Sequence, residues 1–270
     1  MYYFRSSLFD ICEIEQSPMI SIIGGGGKTS FMFALAREIR EKKQRYPFIT
    51  TTSTKIYYPS LSQSPNILIE PDISKVIQSL KKHSFQDITI ASKIRSDRKL
   101  EGFSALEFVQ LKKILPQYSF LIEADGALGR SLKAHHATEP VIPPINHLIV
   151  AIVGLDILNQ PLNEQFVHHS KLFRDRLQLE ENKFINIEDI INILKHPKGY
   201  FHNAPKQSQR IVLFNKMDVF DNTEKIAQYC LEQLQCININ KIVLGSLQSD
   251  ALFDVYKREQ NLEFNHLEID

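Results

Sequence analysis

The residues of this chain that are best suited to chemistry begin at a run of glycines. Four consecutive glycines, 24–27, precede Lys28, Thr29 and Ser30 in a chain with ten glycines among 270 residues. The N–H groups of a glycine turn can surround a phosphate, a lysine can reach its terminal oxygens, and a threonine hydroxyl can ligate Mg²⁺. The residues predicted to bind a nucleoside triphosphate, with Mg²⁺ as cofactor, are Gly24, Gly25, Gly26, Gly27, Lys28, Thr29 and Ser30.

The spacing of this motif differs from the commonest phosphate-binding pattern. Ile22 occupies the position of the first glycine in G-x-x-x-x-G-K-[ST], and the chain carries the shorter G-x-x-G-K-T instead. That shorter loop resembles the loop of the Mur-ligase group of ATPases. The alternative is a tight strand-to-helix turn without a ligand, although one glycine would be enough for such a turn.

A second candidate group lies in the stretch FLIEADGALGRSLKAH, residues 120–135. Its apolar part ends at Glu123 and Asp125, as in a strand that holds a carboxylate beside the Mg²⁺ of a nucleotide. Residues two apart point to the same side of a strand, so one acid is expected to hold the metal and the other to orient a nucleophile. Arg130 and Lys133 are expected to bind an anionic substrate or the transferring phosphoryl group. The alternative is a strand end with solvated charges.

Hydroxyl groups and a lysine end another apolar run, at residues 50–55 (TTTSTK). Thr52 is expected to hold a water for the attack on phosphate, and Lys55 is expected to bind the substrate. The alternative is that the threonines are β-branched residues that complete a strand. The predicted metal ligands are Thr29, Asp125 and Glu123, and the predicted catalytic residues are Lys28, Glu123, Asp125 and Thr52.

The stretch IVLFNKMD, residues 211–218, carries Asn-Lys-x-Asp after an apolar run. In GTPases this pattern reads guanine, because the aspartate accepts hydrogen bonds from N1–H and the 2-amino group while the lysine stem lies along the base. Asn215, Lys216 and Asp218 are therefore predicted to bind the base. The D-x-x-G pattern of GTPases does not follow Asp125. Guanine is thus preferred, and ATP remains open.

Short apolar runs alternate with helical patterns along the chain. The predicted strands are 19–23, 47–52, 66–70, 87–91, 118–123, 147–153, 210–215 and 240–244. The predicted helices are 30–43, 73–82, 104–115, 164–176, 187–195 and 222–235. This alternation predicts an α/β fold with a mostly parallel sheet flanked by helices. Ligands of such folds bind at the carboxyl ends of the strands, where the motifs above lie.

The organisation of the chain indicates one domain. There is no internal repeat and no low-complexity linker, and the strand signals weaken between residues 155 and 209. We therefore predict a single domain over residues 15–250, with a mainly helical insertion at 155–209. From residue 251 the chain is polar, and a peripheral tail is expected at 251–270.

The composition excludes several classes of partner. A net charge of +1 disfavours nucleic acid and membrane surfaces as partners. No apolar run approaches the roughly 20 residues that span a bilayer. The three cysteines lack the spacing of metal ligands, which favours reduced thiols and a cytoplasmic location.

Seven segments, taken in order, carry a family resemblance: IIGGGGKTS, TTTSTKIYYP, KLEGF, LIEADGALGRSLKAH, EPVIPP, IVGLDILNQPL and LFNKMD. From about residue 15 to 250 the chain resembles the YqeC family, the accessory proteins of selenium-dependent molybdenum hydroxylases. The resemblance implies a P-loop NTPase-type fold. It also implies a role in maturing or loading the selenium and molybdopterin cofactor of hydroxylases such as xanthine dehydrogenase. Ser131 departs from the family pattern, where proline is expected.

Three functions are consistent with these residues. The first is a Mg²⁺-dependent nucleotide-binding protein that hydrolyses GTP or ATP and whose partner is a molybdenum hydroxylase or its cofactor-insertion machinery. The second is an ATP-dependent ligase or kinase that acts on a small anionic substrate. The third is a non-catalytic, nucleotide-gated adaptor for a hydroxylase.

Overall fold

The structure of the protein is a computed structural model that describes residues 2–16, 18–42, 47–181, 183–219, 223–249 and 252–257. The strands are β1 (Tyr2–Ser6), β2 (Met19–Gly24), β3 (Phe48–Thr52), β4 (Lys55–Tyr57), β5 (Ile67–Ile69), β6 (Asp87–Ala91), β7 (Lys93–Ile94), β8 (Lys99–Glu101), β9 (Ser119–Glu123), β10 (Leu132–Lys133), β11 (Leu148–Gly154), β12 (Val167–His168), β13 (Gln209–Asn215), β14 (Lys241–Leu244) and β15 (Phe253–Lys257). The helices are α1 (Leu8–Cys12), α2 (Lys28–Glu41), α3 (Ile73–His83), α4 (Ala105–Ile114), α5 (Ser170–Leu177), α6 (Ile187–Lys195) and α7 (Thr223–Gln233). Single turns of 3₁₀ helix span Leu155–Ile157, Met217–Val219 and Gln235–Ile237.

Ten of the described strands form one sheet, in the order β1-β15-β14-β13-β11-β2-β9-β3-β6-β5. From β14 across to β5, each strand is parallel to the next one in the sheet. At one edge β15 pairs antiparallel with β14, and β1 pairs antiparallel with β15. The predicted α/β class with a mostly parallel sheet flanked by helices is confirmed.

The central strands are apolar on both sides because helices cover both faces of the sheet. In β2, Ile20 and Ile22 belong to the buried cluster on one face, while Met19 and Ile23 belong to clusters on the other. This alternation follows from the period of two along a strand. Continuous apolar runs were therefore the right signal for these strands.

The helices divide between the two faces. Phe31, Met32, Leu35 and Ile39 of α2 follow helical spacing and pack with α1 on the first face. On the second face, α3 and α4 cover the β3–β6–β9 side, whereas α5, α6 and α7 cover the β11–β13–β14 side. None of the helices in the described residues combines the length and apolar character that crossing a bilayer requires.

The helix predicted at 164–176 begins later than expected, at Ser170. The residues before it form β12, which pairs in parallel with β10, and His169 adopts a left-handed conformation with φ of 59°. The Glu164 carboxylate then accepts hydrogen bonds from the backbone N–H and the hydroxyl of Ser170. Glu164, which was predicted to lie within the helix, instead precedes it and binds the first N–H group of the observed helix.

The expected peripheral tail is wrong for residues 253–257. They form β15, which lies between β14 and β1 in the sheet and contributes the buried side chains Phe253 and Val255. Residues 258–270, where the rest of that prediction falls, lie outside the described residues. β1 was not predicted either, because most of its residues are exposed and show no alternation.

Candidate functional site

A cavity of about 940 Å³ opens where β2, β3 and β9 end. Its wall is formed by the first turn of α2, by residues 53–57, by part of β8 and by residues 126–130. The volume falls within the range of about 300–1,000 Å³ that small-molecule sites occupy. The chain leaves β2 towards β3 on one side and later returns to β11 on the other. Ligands of parallel sheets bind at such a switch point.

The glycine loop, Gly24–Gly27, fits a space that has no room for side chains. A Cβ atom at any of its four positions would meet another atom at 2.2 to 2.6 Å. At Gly25 that atom is the carbonyl oxygen of Arg130, which is backbone and cannot easily move. Gly27 has φ of 136°, a conformation that other residues rarely adopt. Packing around the loop therefore demands four glycines, not one.

Three N–H groups of the glycine loop already have acceptors within the protein. Gly24 N–H donates to Oδ2 of Asp125 over 2.8 Å. Gly25 N–H and Gly26 N–H donate to backbone carbonyl oxygens over 2.9 and 2.8 Å. The donors open to a ligand are therefore those that follow in the chain.

The start of α2 provides these donors. No side chain caps this end, and the first hydrogen bond of the helix runs from Phe31 N–H to the Gly27 carbonyl over 2.8 Å. The first N–H groups of a helix have no partner within it. The N–H groups that come before Phe31 in this turn are those of Gly27, Lys28, Thr29 and Ser30. An uncapped helix start that lines a cavity is suited to bind an anion.

Lys28 points into the protein, although we expected it to reach outwards to a ligand. The residue is 6% exposed, and its Nζ donates to the Gly24 carbonyl over 2.7 Å. Nζ also lies 3.1 Å from Oδ1 of Asp125 and 3.9 Å from Oε1 of Glu123. Burial lowers the pKa of Lys28, but Asp125 and then Glu123 outweigh it and raise the pKa above its ordinary value. Lys28 is therefore charged and neutralises the two acids.

Thr29 and Glu123 meet at the wall of the cavity. The Thr29 hydroxyl donates to Oε2 of Glu123 over 2.7 Å, and both residues line the cavity. Burial raises the pKa of Glu123, and the nearby Lys28 only partly opposes this. This pair brings together two of the oxygen donors that were predicted to hold a metal.

Asp125 is fully buried beneath the glycine loop and does not line the cavity. Its Oδ2 accepts the Gly24 N–H and a short hydrogen bond from Nε2 of His135, and it lies 3.7 Å from Nζ of Lys133. Burial opposes its ionisation, but Lys28, Lys133 and His135 outweigh burial and hold the pKa of Asp125 well below its ordinary value. Asp125 is thus ionised and holds the glycine loop from beneath, through its bond to Gly24.

Thr52 is also turned away from the cavity. Its hydroxyl donates to the Glu123 carbonyl over 2.7 Å and accepts the Thr54 N–H over 2.9 Å. These bonds fasten the end of β3 to the end of β9 and leave Thr52 with no exposed surface. The expected water-holding role therefore does not match its position. Lys55, three residues later, is exposed and lines the cavity.

The two cations predicted to bind a substrate have different surroundings. Arg130 lines the cavity, where its Nε donates to the Glu164 carbonyl and its Nη1 to the Leu128 carbonyl. Lys133 is fully buried and donates to the Gly126 carbonyl and to Glu139. The structure therefore keeps Arg130 as a candidate for substrate binding and removes Lys133.

The residues predicted to read the base lie apart from the wall of the cavity. Asn215 is buried, donates to the Gly26 carbonyl over 2.6 Å and accepts the Leu247 N–H over 2.9 Å. Lys216 pairs with Asp156 over 2.7 Å. Asp218 is exposed on the 3₁₀ turn that follows β13. Two residues of the motif thus bind the protein itself, and the third faces solvent.

Two further residues beneath the loop were missed. His135 binds Asp125, and its ring meets that of Tyr200 edge-on with 4.8 Å between centroids. A Cβ on Gly24 would lie 2.7 Å from Cε1 of Tyr200. Burial lowers the pKa of His135 despite its bond to Asp125. His135 lies within the Asp125 motif and could have been suspected, whereas no sequence signal links Tyr200 to the loop.

A group of three histidines lies next to this region. The ring of His169 lies 4.2 Å from that of His136 and 3.8 Å from that of His168, between centroids. Within the described residues, no group of three or more His, Cys, Asp or Glu has the geometry of a metal site. Burial, and then the neighbouring His169, lowers the pKa of His168 to about 4.

Comparison with known proteins identifies the family. The profile described as "YqeC protein" matches residues 20–171, which include the glycine loop, β9 and the residues that follow β9. A protein of Escherichia coli (strain K12), described as "Uncharacterized protein YqeC", is 28% identical over 248 residues. The match covers 89% of this chain and 92% of that protein. The chain belongs to the YqeC family.

Proposed function

We propose that this protein has a P-loop NTPase-type fold, binds a nucleoside triphosphate with Mg²⁺ at the glycine loop, and hydrolyses it. We further propose that turnover serves the maturation of selenium-dependent molybdenum hydroxylases. Support for the second part is family membership, through the role that the resemblance implies. Support for the first part is the arrangement of the site.

The observation that carries the proposal is the convergence of three groups on one cavity. The uncapped N–H groups of Gly27 to Ser30 are suited to phosphate oxygens. Lys28 lies within the same turn, and the Thr29–Glu123 pair lies at the wall. A strand, a glycine loop and a helix, with an acid on the adjacent parallel strand, supply what phosphate binding requires.

Mg²⁺ fits the Thr29–Glu123 pair. A hydroxyl oxygen and a carboxylate oxygen 2.7 Å apart at a cavity wall are hard donors of the kind that Mg²⁺ takes, together with phosphate oxygens and water. Asp125 is less suited to this role because it does not line the cavity, its Oδ2 is bound to Gly24 N–H and His135, and its Oδ1 lies against Nζ of Lys28. When bound, Mg²⁺ neutralises charge on the phosphates. Glu123 and Thr29 are therefore the proposed ligands from the protein.

Lys28 would exchange partners when a triphosphate binds. In the structure its ammonium group neutralises Asp125 and bonds to the Gly24 carbonyl. Phosphate oxygens offer a stronger charge-assisted partner. Asp125 retains Lys133 and His135 after such an exchange. The buried carboxylate thus remains partly balanced, which keeps the exchange feasible.

The test is a binding screen of the purified full-length chain. Calorimetry with ATP, GTP, CTP and UTP, each with and without Mg²⁺, is expected to show Mg²⁺-dependent binding of at least one triphosphate. Release of phosphate with no added acceptor is expected to accompany it. If no triphosphate binds in any condition, the proposal is overturned.

A second candidate function is transfer to a small anionic acceptor. The cavity extends from the glycine loop to Lys55 and carries Arg130 on its wall, and neither cation has a carboxylate partner among the described residues. Such unpaired cations favour an anion beside the nucleotide. Turnover that requires an added acceptor supports this function over hydrolysis. Binding without any turnover supports the adaptor hypothesis instead.

A further inference from the structure

Part of the cavity wall belongs to a small sheet outside the glycine loop. Strands β4, β8 and β7 form a separate antiparallel sheet of three short strands. Lys55 and Tyr57 are two apart on β4, so they share one side, while Ile56 between them is buried. Lys55 pairs with Glu101 in register, and Tyr57 pairs with Lys99. These four residues, Lys55, Tyr57, Lys99 and Glu101, all line the cavity, and we name them the platform.

The centre of the platform is an exposed aromatic ring. Tyr57 is 67% exposed, although it lies on a strand and lines a cavity. Nζ of Lys99 lies 4.9 Å from the centre of its ring, a cation–π contact that holds the ring in place. An exposed, oriented ring is a surface on which a planar ligand can stack.

The charge around the ring favours an anion. Glu101 is neutralised by Lys93 and Arg95, at 3.0 and 3.3 Å. The side chain of Lys55 has no ion pair or hydrogen bond with any described residue; its pairing with Glu101 is through the backbone of β4 and β8. The Arg130 side chain, which also lines the cavity, bonds among the described residues to backbone carbonyl groups alone. The cavity thus combines one exposed ring, contacted by Lys99, with two cations that lack a carboxylate partner among the described residues.

The topology separates the platform from the residues predicted to read the base. Lys55 and Tyr57 of the platform follow β3, whereas Asn215 ends β13 and Asp218 follows it. In the sheet these strands lie on opposite sides of β2, which carries the glycine loop. A nucleotide whose base lies towards β13 therefore leaves the platform free. This step rests on the proposed function.

We propose that the platform is the subsite for a second ligand, an aromatic or heteroaromatic molecule that carries a phosphate or another compact anionic group. Its ring stacks on Tyr57, and its anionic group is bound by Lys55 and Arg130. The ligand lies at the Glu123 side of the glycine loop, beside the triphosphate. The protein thereby has two adjacent sites in one cavity.

The test uses 1-naphthyl phosphate as the probe and the intact chain as the protein. Calorimetry is expected to show tighter binding of this probe than of inorganic phosphate, which lacks the ring, or of 1-naphthol, which lacks the charge. Tyr57→Ala is expected to weaken binding of the probe about fivefold or more, as loss of base stacking does. Tyr57→Phe is expected to retain the wild-type affinity for the probe, because the ring remains. Tyr58→Ala is the matched control, because Tyr58 is the next residue, is 46% exposed and does not line the cavity.

Three outcomes overturn the proposal. Equal affinities for inorganic phosphate and 1-naphthyl phosphate exclude stacking, and an unchanged Tyr57→Ala variant excludes the platform. Competition between the probe and a non-hydrolysable triphosphate with Mg²⁺ shows that the platform takes the nucleotide's own base. Probe binding that depends on Tyr57 without any triphosphate binding supports the platform and overturns the proposed function. The experiment can therefore contradict one proposal while supporting the other.

Discussion

Under the proposed function, Lys28 is the cation for which a bound phosphate and the buried Asp125 compete. Its ammonium group lies 3.1 Å from Asp125, which has no exposed surface. A buried charge that loses its partner is costly, so Lys28 serves the fold as well as the ligand. Because Lys28 pairs with a carboxylate when no ligand is bound, its charge has a partner both in the free protein and in the proposed complex with a triphosphate.

Lys28→Ala is expected to weaken triphosphate binding more than tenfold, since a charge-assisted phosphate contact contributes about 1.5–3 kcal/mol. It should also lower the free energy of unfolding by about 3 kcal/mol, because Asp125 and Glu123 lose their neighbouring cation. Calorimetry and urea unfolding measure the two effects.

The matched control for this variant adds Asp125→Asn. The double variant should recover much of the lost stability, since the unbalanced carboxylate is gone, while nucleotide affinity stays low. Two single effects on stability that simply add would contradict the pairing of Lys28 with Asp125.

Glu123 and Asp125 are expected to respond differently to neutral substitution. Glu123→Gln should abolish Mg²⁺-dependent turnover with little loss of stability, because the amide oxygen can still accept from Thr29. Asp125→Asn should mainly destabilise the protein, since Lys28 and Lys133 lose their shared acid. Turnover at several Mg²⁺ concentrations and thermal unfolding distinguish them. A stable Asp125→Asn variant that has lost its Mg²⁺ response would return the metal role to Asp125.

Asp218, the residue predicted to read the base, is exposed. If its carboxylate reads guanine, Asp218→Asn should lose GTP and gain XTP, because one acceptor oxygen becomes an NH₂ donor that suits the xanthine carbonyl. Sites built on such hydrogen bonds can favour one base over another by a factor of up to roughly 10⁴. Competition of GTP, XTP and ATP against a fluorescent nucleotide measures the ranking. A wild-type preference for ATP, or an unchanged ranking in the variant, would reduce the motif to a chance match.

At the scale of elements, the glycine loop is held between its neighbours on both sides. Gly25→Ala should weaken nucleotide binding and destabilise the protein by about 1–3 kcal/mol, because its Cβ would lie 2.5 Å from the Arg130 carbonyl oxygen. Gly126→Ala is the matched control: it also lines the cavity, yet its Cβ would meet nothing within 4 Å. Equal effects of the two substitutions on unfolding and affinity would show that loop packing does not matter.

The elements that could be predicted are those with a strong local pattern. All eight predicted strands are found as parallel strands of the main sheet, because a strand buried on both faces must be apolar throughout. The short strands β4, β7 and β8 were missed because they are two or three residues long and their pattern is partly exposed. β1 depends on pairing with β15, which lies at the other end of the chain.

The site was predictable as a set of motifs but not in the orientation of each side chain. We expected Glu123 and Asp125 to share a face, as residues two apart in a strand do. β9 ends at Glu123, so that rule no longer applies at Asp125, whose side chain turns beneath the loop. Thr52 is bound by Glu123, and Lys133 lies on β10, which pairs with β12; both partners are distant in the sequence. No local pattern reveals such contacts.

At the scale of the whole molecule, the three neighbouring histidines predict an acid-sensitive fold. His168 has a pKa of about 4, against about 6.5 when unfolded, because burial and then His169 disfavour its charged form. The unfolded chain therefore binds more protons between these values, and stability should fall as the pH drops from about 6.5 to about 4. Below about 4 this contribution no longer changes. Lys133 adds to the effect, whereas Glu139 and Glu164 oppose it.

Urea unfolding at a series of pH values measures this dependence. His168→Gln should make it less steep, because the neutral amide binds no proton in either state, while other histidines of lowered pKa such as His135 still contribute. His83→Gln is the control: His83 lies in the last turn of α3, far from this cluster in the chain, and should leave the slope unchanged. The same steep slope in wild type and His168→Gln would contradict the assignment.

The pairing of β1 with β15 determines the order in which this chain can be completed during synthesis. During synthesis residues 2–6 emerge before residues 253–257, yet the described β1 joins the sheet through β15. β1 therefore emerges long before the strand with which it pairs. On this side of the sheet, first β13 and then β14 is an open edge until β15 is added, and an open edge can pair with another nascent chain. The interval between the synthesis of β1 and that of β15 is when the growing chain is most exposed to aggregation.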